Sequence, residues 1–73
     1  MSNTENKSKR LIRIKEVMQI TGISKSYVYS LCSQNQFPQS VQLVKSGSAV
    51  AWVEQEVLNW IDSRIHARDS EVA

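Results

Sequence analysis

Hydrophobic positions recur at helical spacing twice before residue 35, alternate once, and recur at helical spacing again near the C-terminus. Val17, Ile20 and Ile23 give the first inward face and predict a helix over about 14–20. Gly22 ends that helix, where the chain often needs left-handed backbone. Glu16 lies three residues after Arg13 and could reach back to the Arg13 amide as half of a capping box, although arginine is itself a poor N-cap. Ser24 is a good N-cap and predicts a second helix running to about Gln34. Val28, Leu31 and Cys32 form its inward stripe, Tyr27 sits at the edge, and Lys25, Ser26, Tyr29, Ser30 and Ser33 fall elsewhere around it. Pro38 then breaks the pattern and pushes Phe37 into an extended conformation. "VQLV" (41–44) alternates, with Val41 and Leu43 on one side, and "AVAWV" (49–53) reads as a second strand. The intervening "KSGS" carries a turn glycine, so the two strands predict a β-hairpin. The last helix, over about 54–67, opens with Glu54 and Glu56, favourable to the helix dipole, and turns Val57, Leu58, Trp60, Ile61 and Ile65 inward.

Helix, tight turn, helix, hairpin, helix is the order of a winged helix-turn-helix. Around Gly22, Val17, Thr21, Ile23, Val28 and Leu31 occupy the positions that pin two helices at a steep angle and let the second protrude. Met18 is larger than the residue usual at its position, and many helical corners that bind no nucleic acid share the spacing. The expected fold class is mainly α with a small β-hairpin, in one domain over residues 10–67. Residues 1–9 are expected to be a disordered basic arm and 68–73 a disordered tail.

Composition narrows the function. With 73 residues the chain is one small domain, which buries only about 60% of its unfolded surface. Its single cysteine, Cys32, excludes an intrachain disulfide and falls at an apolar helical position, as a buried structural thiol. One histidine, His66, does not make a metal site, and no cofactor is expected. No apolar run approaches the roughly 18 residues that span a membrane, so a soluble, cytoplasmic protein of a reducing compartment is expected. The net charge of +2 hides an asymmetry: residues 1–48 carry seven cations against Glu5 and Glu16, and residues 49–73 carry Arg64 and Arg68 against five acids. The segment from Ile20 to Ala51 holds no acid at all. That split points to one surface for a polyanion. The second helix offers hydroxyls and a cation where a major-groove helix needs them, and "KSGS" suits a wing against phosphates. A basic arm can follow a groove.

The stretch from Arg10 to Ile61 resembles the AlpA family of phage-type regulators, small relatives of MerR-like winged helices and phage excisionases. The resemblance rests on an ordered set: "RL" at the front, "KEV" on the first helix, "TGIS" at the turn, "S-x-VY" on the second helix, "FP", "AVAW", and "EV-x-x-W" on the last helix. Three positions depart from it. Ser30 and Ser48 stand where arginine is common, and Asn35 stands where glycine is common. The resemblance implies a protein that binds the DNA of a mobile element, either controlling an integrase gene or acting as an excisionase that bends attachment-site DNA. It implies double-stranded DNA as partner, with an integrase and neighbouring copies on DNA beside it. The two missing arginines point to weak binding by one copy, and hence to a free monomer that gains by cooperation.

The candidate DNA contacts are Lys25, Ser26, Tyr27, Tyr29 and Ser30 on the second helix, Lys45, Ser46 and Ser48 on the wing, and Arg10, Arg13 and Lys15 at the front. Trp52, Trp60 and Phe37 are expected in the core. Catalysis needs a nucleophile with a base, or paired acids in a cleft, and the scattered acids here supply neither, so no enzyme is expected. The rival is a protein-interaction module that binds a recombinase or regulator without touching DNA.

Overall fold

The computed structural model describes residues 9–71, so most of the expected arm and the end of the tail lie outside the described residues. The elements are β1 (Leu11–Ile12), α1 (Ile14–Thr21), α2 (Lys25–Ser33), β2 (Val41–Gln42), β3 (Val50–Val53) and α3 (Glu54–Glu71). Three helices and a small antiparallel sheet make a winged helix-turn-helix. The sheet has three strands, ordered β1-β3-β2, not the two of the expected hairpin. The added strand pairs Leu11 with Val53 and Ile12 with Trp52. Two residues are too few for alternation to declare a strand, which is why the pattern did not predict it.

The turn between α1 and α2 forms as its residues require. Gly22 lies at φ 79°, and its N–H donates to Met18 O at 2.8 Å. No atom lies within 4 Å of the place a Cβ would take, so backbone geometry alone demands glycine here. Val17 and Val28 are fully buried and Leu31 nearly so, while Thr21 and Ile23 are half-buried between them. Thr21 Oγ1 donates to Val17 O at 2.7 Å, filling a carbonyl of the last turn. Ile12, Phe37, Trp52 and Val57 complete the core around these residues.

α2 ends in a Schellman motif. Asn35 N–H donates to Cys32 O at 3.0 Å and Gln36 N–H to Leu31 O at 2.8 Å, with Asn35 itself left-handed at φ 58°. This explains the departure from glycine: asparagine is the side chain that best tolerates that backbone. Asn35→Ala is expected to destabilise the domain by about 1 kcal/mol and Asn35→Gly to leave it as stable or better, measured by urea unfolding.

The segment after α2 is fastened from three sides. Trp60 Nε1 donates to Gln36 O at 2.8 Å, Trp52 Nε1 to Pro38 O at 3.0 Å, and Gln39 Nε2 to Cys32 O at 2.7 Å. Phe37 meets the Trp60 ring edge-on at 4.8 Å. Cys32 is half-buried, with Sγ 3.5 Å from Pro38 O. Burial pushes its thiol above the ordinary range, and the Trp52 hydrogen bond only partly opposes this. A raised folded-state value means the thiol contributes stability below its unfolded-state pKa and loses that contribution as pH rises through the folded one. Alkylation of Cys32 near neutral pH is therefore expected to be slower in the folded protein than in urea, with the deficit read by mass spectrometry; equal rates would contradict the burial argument.

α3 departs most from expectation. It has 18 residues and reaches Glu71, four beyond the expected end at Ala67, since neither glycine nor proline interrupts it. Of its expected inward set only Val57 is buried. Trp60 and Ile61 are half-buried, and Leu58 and Ile65 are 37% and 44% exposed. A helix about 27 Å long outruns so small a core, and its second half stands clear of it.

Candidate nucleic-acid interface

Ser24 caps α2 with extended backbone, its Oγ accepting from the Tyr27 N–H at 3.2 Å. No acid lies in the first turn, so the positive end of the helix is uncompensated beside exposed Lys25. With Val28 and Leu31 turned into the core, Ser26, Ser30 and Ser33 follow one another along the opposite ridge at i, i+4 and i+7. Ser30 Oγ accepts from Gln34 Nε2 at 3.1 Å, which leaves its own proton to donate outward. Ser33 is a ridge member that the candidate set omits, although its spacing from Ser26 and Ser30 could have placed it there.

The two tyrosines part company. Tyr29 packs edge-on against Trp52, centroids 5.8 Å apart, and so leans toward β3 while staying 40% exposed. Lys25, one turn earlier, shares that flank. Tyr27, 53% exposed, lies on the other flank and lines a groove with Ile23, Leu31, Phe37 and Trp60 beside α3.

The wing differs in register from the expected four-residue "KSGS" loop. Pairing continues past β2 through Leu43 N–H to Ala49 O at 2.9 Å, and the turn is Val44-Lys45-Ser46-Gly47, closed by Gly47 N–H to Val44 O at 2.9 Å. Lys45, Ser46 and Ser48 are all exposed around this tip. So are Leu43 and Val44, at 41% and 59%, which makes the wing more apolar than its cation and hydroxyls imply.

The front group divides. Arg13 and Lys15 are exposed at the start of α1. Arg10 is held within the molecule: its Nη1 donates to Glu16 Oε2 at 3.3 Å and to Glu54 Oε2. The carboxylate expected to cap the Arg13 amide is thus paired with Arg10. Glu16, and after it Glu54, raise the guanidinium pKa above its ordinary value. Backbone reinforces the clamp, with Glu54 N–H donating to Arg10 O at 2.8 Å. Arg10 therefore ties β1 to the starts of α1 and α3, its single positive charge shared between two carboxylates.

The result is a ridge of hydroxyls on α2, a cation and a tyrosine on its sheet flank, and a wing carrying Lys45, all on a stretch without acid. Residues 10–65 match the family described as prophage CP4-57 regulatory protein (AlpA). The chain belongs to the AlpA family. It is also 41% identical over 59 residues to a protein of Enterobacteria phage P4 described as uncharacterized protein ORF88. That alignment takes in 81% of this chain and 65% of the phage protein, so the chain spans just under two thirds of that relative's length. The family is one of prophage regulatory proteins. The family match begins at Arg10, the clamp residue, and stops at Ile65, where α3 has left the core. No helix among the described residues is long and apolar enough to cross a membrane.

Proposed function

We propose that this AlpA protein is a sequence-specific DNA-binding protein of a prophage or mobile element, acting on an integrase gene as transcriptional regulator, or on attachment-site DNA as excisionase. The observation that carries the reading is the outward ridge of α2, Ser26-Ser30-Ser33, flanked by Lys25 and Tyr29 and free of acid. Laid in the major groove, such a ridge presents donors and acceptors to base edges, while Lys25 and the helix N-terminus meet phosphate. Lys45, Ser46 and Ser48 would hold the flanking backbone, and Arg13 and Lys15 extend the cationic footprint. Tyr29 would reach sugar or phosphate past Trp52; Tyr27, on the α3 flank, is the weaker candidate. Nothing in this role needs a cofactor or catalysis, and its setting is the cytoplasm of the host.

One copy offers few cations, because Arg10 is clamped and Ser30 and Ser48 replace arginines common in the family. Neighbouring copies on adjacent sites would supply the rest, the basic front of one against Glu56 or Asp62 of the next, with the free protein a monomer. Glu54 is committed to Arg10 and drops out of that contact. Exposed Leu58 and Ile65 on α3 favour a second surface for a protein such as an integrase, alongside DNA binding.

Footprinting on the DNA flanking the gene tests the reading, since promoter and attachment-site footprints imply different jobs. Within such a footprint, Lys25→Ala is expected to weaken specific binding by about 1–3 kcal/mol, and Lys45→Ala to weaken binding evenly across sequences and flatten the salt slope by about one unit. No protection anywhere, with a folded protein, would reject DNA binding in favour of a protein-interaction module.

A further inference from the structure

The wing tip holds a feature that phosphate binding does not use. Val44, the first residue of its β-turn, is 59% exposed, the largest value for a large hydrophobic side chain among the described residues, and Leu43 beside it is 41% exposed. The backbone of the turn closes beside Val44. A Cβ at Gly47 would come within 3.3 Å of Val44 Cβ, so glycine lets the turn close against the valine. Gln42 Nε2 donates to Gly47 O at 2.9 Å and braces the same turn from the strand. An exposed apolar tip on a closed turn, followed at once by Lys45 and Ser46, is matched to a surface that is apolar at its floor and anionic at its rims.

We propose that Val44 is a specificity residue that the wing presses into the DNA minor groove beside the α2 site, where it rejects G·C pairs. The proposal rests on the DNA-binding reading above. On B-form DNA the groove adjoining the one that α2 would occupy is the minor groove, about 6 Å wide. There A·T and T·A pairs show only acceptors, and a G·C pair adds the guanine N2 amino donor. The acceptors lie to the sides of the floor and are common to both kinds of pair, so the added donor makes the difference. The amino group projects from the floor, and a valine pressed on it removes its water and returns no hydrogen bond. Lys45, next along the turn, would pair with the phosphates that line the groove and hold the tip in. The discrimination is thus made by the loss of a partner, and needs no polar contact from the wing to a base.

The test uses the full chain and a duplex bearing its footprinted site, with the wing's base pairs located by hydroxyl-radical protection. Those pairs are then made A·T, G·C or inosine·C, which has the G·C shape without the N2 amino group. The wild-type protein is expected to bind A·T and inosine·C duplexes alike and the G·C duplex about tenfold more weakly. Val44→Thr keeps the shape and supplies a hydroxyl that can accept the amino proton, so the difference should shrink to about threefold or less. Val44→Ala, which withdraws the contact, should also narrow it, and thermal melts of both variants check the fold. Equal wild-type binding to G·C and inosine·C, or full discrimination retained by both variants, overturns the proposal. Protection under α2 with none under the wing overturns it alone, whereas absence of any footprint overturns the DNA-binding reading as well.

Discussion

Trp52→Ala is expected to leave the domain unfolded or barely folded at room temperature. Trp52 is fully buried, pairs in register with Ile12, meets Tyr29 edge-on and donates its indole N–H to Pro38 O. It therefore joins β1, α2 and the segment after α2 at one point. Truncating a buried tryptophan costs about 3–5 kcal/mol. A chain of 73 residues has about 4–11 kcal/mol of stability in all, at the usual value per residue. So small a domain belongs near the lower end. Trp52→Phe keeps most of the ring and leaves Pro38 O without its indole donor, so a loss of about 1–3 kcal/mol with a cooperative transition is expected. Urea unfolding followed by circular dichroism measures both. A Trp52→Ala protein as stable as wild type would show that the core is held elsewhere.

Ser26→Glu is expected to separate folding from binding. Ser26 is exposed in the first turn of α2, which contains no acid. A carboxylate there faces the positive end of the helix and should stabilise it by about 0.3–1 kcal/mol. The same carboxylate on the outward ridge would meet phosphates and acceptor-rich base edges, and like charge brought together at an interface costs several kcal/mol. Specific DNA binding should fall by about a hundredfold or more while the melting temperature stays level or rises. Ser26→Gln, without the charge, should lose far less. A Ser26→Glu protein that binds as tightly as wild type would remove α2 from the interface.

The helix-turn-helix was legible because each of its marks has a local cause. Gly22 is required by backbone geometry, Ser24 by an open amide, and Val17, Val28 and Leu31 by helical periodicity. The expected bounds of α1 and α2 are met within one residue at each end. Trp52 and Phe37 are buried as expected, and Trp60 is half-buried at the edge. Three features needed the third dimension. β1 is two residues long and is fixed by pairing with Trp52 and Val53, forty residues away in sequence, which no local pattern carries. α3 has the apolar spacing of a core helix, yet whether Leu58 and Ile65 find a partner depends on how far the core extends. Arg10 looked like Arg13 and Lys15 in the same basic run, and only folding brings Glu54 to it. At the candidate interface the residue types were legible and their grouping was not: helical spacing alone did not say that Tyr29 leans on Trp52 while Tyr27 faces α3, or that the wing turns at Val44.

DNA binding by this protein would run through a few phosphates held by α2 and the wing, with α2 reading bases. Its most direct measurement is the affinity for the footprinted duplex, and for a scrambled duplex of equal length, as salt is raised. Lys25, Lys45, Arg13 and Lys15 are the cations of the candidate interface that remain once Arg10 is held by its carboxylates. Four phosphate contacts predict a slope of log affinity against log salt of about −3 to −4 per bound copy. The footprinted duplex should remain the tighter of the two throughout. A slope near zero, or equal affinity for both duplexes, would contradict the account.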